Sequence, residues 1–63
     1  MNLSDLKHLT KYRKNINLSQ SKLSEITNIT QFRLSQFEHN KIELTQEEKK
    51  QIIKILNDKK LLN

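Results

Sequence analysis

The 63 residues make one domain, residues 1–63. A chain this short buries only about 60% of the surface its unfolded form exposes, so its expected stability is about 3–9 kcal/mol. Cysteine is absent, which excludes disulfides and thiolate metal sites. No apolar run approaches ~18 residues and no basic-then-apolar leader opens the chain, which predicts a cytoplasmic protein without a membrane segment. The net charge of +5 sits at the two ends, with residues 21–40 neutral. That balance suits a polyanionic partner, although an ordinary solvated surface accounts for it nearly as well.

The first predicted helix spans about residues 3–15. Asn2 or Ser4 is placed to cap it, and Asp5 suits its first turn. Leu6, Leu9, Tyr12 and Ile16 fall on one side, with Lys7, Lys11 and Lys14 away from them. Ser19 is a good cap for a second helix over 20–27, whose short apolar stripe is Leu23 and Ile26. Ile29 lies in the following turn and is expected to point inward. Thr30 caps a third helix over 31–39, anchored by Leu34 and Phe37. Two short helices joined by a tight turn are the arrangement of a helix-turn-helix.

Ile42 and Leu44 are expected to tuck a linker against the core. Thr45 and Glu48 then form a T-x-x-E capping box for a fourth helix over 46–57, with Ile52, Ile53 and Leu56 inward; it stops near Asn57, with residues 58–63 as a short tail, or runs on to Lys60. The chain has no glycine to stop its helices. Asn17, Asn28, Asn40 and Asn57 stand at the predicted breaks, and asparagine is the commonest non-glycine residue in the left-handed conformation. The fold class is therefore all-α, with four to five helices.

The run LSQSKLSEITNITQFRLSQFEHNK, Leu18 to Lys41, closely resembles the phage-repressor/Cro-type helix-turn-helix family, whose pattern is L-S-Q-x-x-L-A-x-x-L-G-[IV]-[ST]-x-x-x-[IL]-S-x-[IL]-E-x-G-K. The likeness extends back to Arg13 and forward through Thr45 to Ile52 and Leu56. It implies a compact lambda-repressor-like domain with its helix-turn-helix at the second and third helices. The departures are Ser24 for the usual alanine, Thr27 for a core leucine, asparagine at the glycine positions 17, 28 and 40, and Leu44 for a frequent proline. They bear on stability more than on function.

Gln31, Phe32, Arg33, Ser35 and Gln36 are the residues of the third helix that do not face the core, and they are the candidates for reading bases. Glutamine pairs bidentately with adenine and arginine with guanine, and Phe32 suits a thymine methyl or, alternatively, a place as a third core or interface aromatic. Gln20 and Ser19 open the second helix, where backbone N–H groups meet phosphate. Asn40 and Lys41 resemble the family's backbone-contacting loop. The resemblance assigns Arg13 and Glu38 to a structural ion pair bridging the first helix and the end of the third. Ile55, Leu61 and Leu62 lie off the predicted core stripe, which suits a dimer or partner interface.

His8 and His39 lack a third ligand at helical spacing, the serines lack a base and orienter, and a phosphate loop needs glycine. These observations predict no metal, no cofactor and no enzyme. The leading expectation is a sequence-specific double-stranded DNA-binding transcriptional regulator, Cro-like and of phage or mobile-element origin. The resemblance implies a homodimer on a pseudo-palindromic operator, with half-sites about 34–36 Å apart. The competing expectation is a protein-interaction module, an antirepressor or antitoxin-like partner that keeps the fold without specific DNA binding.

Overall fold

Short helices need firm stops, and asparagine supplies three of them in this computed structural model, which describes the backbone of residues 3–62 and the side chains of residues 5–58. A 3-10 helix, Leu3–His8, runs into α1, Leu9–Asn15; α2 is Gln20–Thr27, α3 is Gln31–Glu38 and α4 is Gln46–Leu62. Among the described residues there is no strand, and the fold is all-α. The first predicted helix is thus two segments of different winding. The Asn2 cap lies outside the described residues and the Ser4 side chain outside the described side chains.

Asn17, Asn28 and Asn40 have φ of 55°, 62° and 60°. Behind α1, Leu18 N–H bonds to Arg13 O at 2.9 Å and Asn17 N–H to Lys14 O at 3.1 Å. Behind α3, Lys41 N–H bonds to Gln36 O at 2.7 Å and Asn40 N–H to Phe37 O at 3.0 Å. Both are Schellman closures, which satisfy carbonyls that the helix itself leaves open. Asn57 behaves differently. It continues α4, which runs through Leu62, past both the end near Asn57 and the end at Lys60 that the sequence suggested, because no glycine or proline follows to break it and Lys59, Lys60, Leu61 and Leu62 favour helix.

The core is Leu6, Leu9, Leu18, Leu23, Ile29, Leu34, Phe37, Leu44, Ile52 and Leu56, flanked by half-buried Tyr12, Ile16, Ile42, Ile53 and Ile55. Across the 3-10 helix and α1 the innermost stripe is Leu6, Leu9 and Arg13, a 3-and-4 spacing that leaves Tyr12 and Ile16 at its edges. In α2 the expected stripe needs correction. Leu23 and Thr27 face inward, and Ile26 is 39% exposed. Leu23 has neighbours three and four residues on, to either side of it. The buried side is the one that carries Thr27, with Leu18, Leu23 and Ile29 in the same core cluster.

Burial of a hydroxyl requires partners. Thr27 Oγ1 donates to Leu23 O at 2.8 Å and accepts from Ile29 N–H at 3.3 Å. The threonine therefore serves the turn itself, where a leucine would have supplied only volume. Among the described residues no buried side-chain nitrogen or oxygen lacks a hydrogen-bond partner. No helix among them is long and apolar enough to cross a membrane.

Candidate nucleic-acid interface

The second and third α-helices are fixed locally by hydroxyl caps. Ser19 Oγ accepts from Lys22 N–H at 3.0 Å, and Thr30 Oγ1 from Arg33 N–H at 3.2 Å. These bonds satisfy open N–H groups at each helix start. With Leu34 and Phe37 buried, the first turn of α3 presents Gln31 and Phe32 outward, the latter 66% exposed. An exposed amide beside an exposed aromatic offers bidentate hydrogen bonding and an apolar face on one turn, the chemistry that base edges and a thymine methyl accept.

A nearly dry ion pair ties the end of α3 to α1. Arg13 Nη2 donates to Glu38 Oε1 and Arg13 Nε to Glu38 Oε2, each at 3.0 Å, with side-chain exposures of 10% and 4%. Arg13 Nη1 holds Leu18 O at 3.0 Å, and Thr10 Oγ1 donates to Glu38 Oε1 at 2.7 Å. Burial pushes the Glu38 carboxyl up, but hydrogen bonds from Arg13 and Thr10, the Arg13 charge and a hydrogen bond from Gln20 outweigh it and hold the pKa below the usual glutamate value. Gln20 also accepts a long bond from Gln31 Nε2, at 3.4 Å.

Arg33 does not project outward as the sequence led us to expect. Its Nη2 donates to Glu48 Oε1 at 2.6 Å, across to the start of α4. Glu48 is also the capping-box residue: its Oε1 accepts Thr45 N–H at 2.8 Å, and its own N–H donates to Thr45 Oγ1 at 3.1 Å. The Thr45 N–H and then Arg33 lower the Glu48 carboxyl, with burial opposing them.

Ser35 and Gln36 are half-buried on α3, and Gln20 is half-buried at the start of α2. Ser19 is exposed with its oxygen engaged as a cap. Asn40 and Lys41 are exposed in the closure behind α3, and Lys11, Lys14 and Lys22 are exposed as well. Ile55 is half-buried against the core, so it is less free than its place off the predicted stripe implied. Leu61 and Leu62 lie outside the residues whose side chains are described.

Sequence reasoning missed Thr10 and the second task of Glu48, and both had a signal. Thr10 stands one turn before Arg13, on the same face. Glu48 heads the stripe continued by Ile52 and Leu56 at four-residue steps, and a carboxylate on a core stripe calls for a cation.

No curated protein and no solved structure gives a significant match to the chain. A family model described as helix-turn-helix matches residues 9–61, from the first residue of α1 almost to the end of α4. The chain belongs to that Xre-like, DNA-binding helix-turn-helix family, whose members are regulators and generally not enzymes.

Proposed function

We propose that this protein is a sequence-specific double-stranded DNA-binding transcriptional regulator, a Cro-like repressor of phage or mobile-element origin. It acts in the cytoplasm as a homodimer on a pseudo-palindromic operator, with α3 in the major groove. One observation carries the reading: the first turn of α3 exposes Gln31 and Phe32 while Leu34 and Phe37 anchor the same helix in the core. Ser19, Gln20, Asn40 and Lys41 contact phosphates, and Gln31, Phe32, Arg33, Ser35 and Gln36 supply the base contacts. Repression follows from occupying promoter DNA.

Selection from a random duplex pool, followed by footprinting, tests this. A palindromic consensus is expected, with affinity falling steeply as salt rises. On the selected site Gln31→Ala is expected to cost about 1–3 kcal/mol and to relax preference at one base position. Equal binding by parent and variant would remove α3 from the reading role.

A protein-interaction module is the second reading. It is favoured by the exposed Ile26 and by a shallow depression of about 290 Å3 lined by Ile26, Thr27, Asn28, Gln51, Lys54 and Ile55. Docking through those isoleucines would be nearly insensitive to salt, which separates it from the DNA reading.

A further inference from the structure

Arg33 occupies the third position of α3, between two tasks. Its backbone N–H closes the Thr30 cap, and its guanidinium crosses to Glu48. The side chains are 41% and 21% exposed, and the contact is made through Nη2. A pair this wet is weakly held. The carboxylate is also held independently, because Thr45 N–H anchors it as part of the α4 cap. The guanidinium can therefore leave without dismantling the helix start. It lies one residue beyond Phe32, on the turn that carries the exposed tips. Guanine edges, phosphates and carboxylates all compete for the same planar donor.

We propose that Glu48 sets the DNA affinity of this domain by competing with the duplex for Arg33: the guanidinium docks on Glu48 in the free protein and exchanges it for an oxygen acceptor of DNA in the complex. The inference rests on the reading of α3 as the DNA-contacting helix. It makes Glu48 a positioning residue, with no DNA contact of its own. In the free domain it also orders a long side chain that would otherwise sample many rotamers.

The test is a binding cycle on the selected duplex at fixed salt, using the parent, Glu48→Gln, Arg33→Ala and the double variant. Glutamine keeps the capping box, because its amide oxygen still reaches the Thr45 N–H. Glu47→Gln is the control, since Glu47 is exposed on the same turn and the change in net charge is identical. Glu48→Gln is expected to tighten binding by roughly threefold or more beyond the control, and Arg33→Ala is expected to erase that excess. A gain confined to one base identity marks a guanine edge, and a gain uniform across sequences marks a phosphate.

A Glu48→Gln gain no larger than the control, or one that persists without Arg33, overturns the proposal. An independent readout is the Glu48 carboxyl followed by NMR: on binding DNA its titration should move up further in the parent than in Arg33→Ala, and an equal movement in the two also overturns it. If no duplex is selected, the DNA reading falls and takes this inference with it. If the parent binds but shows neither coupling nor an Arg33-dependent titration change, only this inference falls.

Discussion

Arg13 reaches Glu38 with two nitrogens inside a nearly dry cluster, whereas Arg33 reaches Glu48 with one nitrogen at a half-wet helix end. The first carboxylate is ringed by donors from α1 and α2; the second is shared with a backbone N–H of its own cap. The chemistry of the two pairs is the same, and their consequences differ because water reaches one and not the other. A buried pair adds little over an apolar replacement, but removing one partner strands a charge. An exposed pair is weakened by solvent and salt, so losing a partner strands nothing.

The largest expected effect is on the dry pair. Glu38→Ala should lower stability by about 3–5 kcal/mol, comparable to much of the total for a domain of this size. Chemical denaturation would measure it, and a loss below ~1 kcal/mol would show that the cluster is as wet as the other.

Acid is the intermediate probe. Both carboxyls are held below the usual glutamate value in the folded state. Their contribution is therefore complete above the ordinary value of about 4.3 and is lost as pH falls through the depressed folded values. Thermal midpoints should change little on this account between roughly pH 7 and 5 and decline below about pH 4. In Glu38→Gln the plateau should be lower and the acid decline shallower. A decline as steep as the parent's would assign the acid sensitivity elsewhere.

The smallest effect belongs to the wet pair: Glu48→Gln should cost less than about 1 kcal/mol of stability, since the cap survives. A larger loss in the same denaturation series would mean that Arg33 is fixed to α4 and not exchangeable.

What could be read from sequence was mostly what is local. Ser19, Thr30 and the Thr45–Glu48 box cap the helices the sequence assigns them to, because capping involves residues two or three apart. The stops at Asn17, Asn28 and Asn40 were legible for the same reason. Asn57 resembles the others in type, but the α4 residues around it favour helix. The phase of α2 was not legible: in two turns, Ile26 and Thr27 are near-equal candidates for burial until tertiary packing decides between them. Nor was the identity of the cation that Glu48 takes: its place on the core stripe asks for one, but Arg33 is separated from it by a helix end, a linker and a cap. At the interface, the exposure of Gln31 and Phe32 follows from the Leu34–Phe37 spacing, whereas the half-burial of Ser35 and Gln36 depends on neighbouring helices.

The left-handed asparagines carry a consequence for the state the chain leaves on folding. A glycine at Asn17, Asn28 or Asn40 would sit there without steric cost, yet it would widen the range of shapes open to the denatured polymer. Asparagine accepts some crowding in the native turn and starts from a narrower ensemble. Part of the hold on these three stops therefore lies outside any contact in the fold, in disorder that the backbone never had to lose.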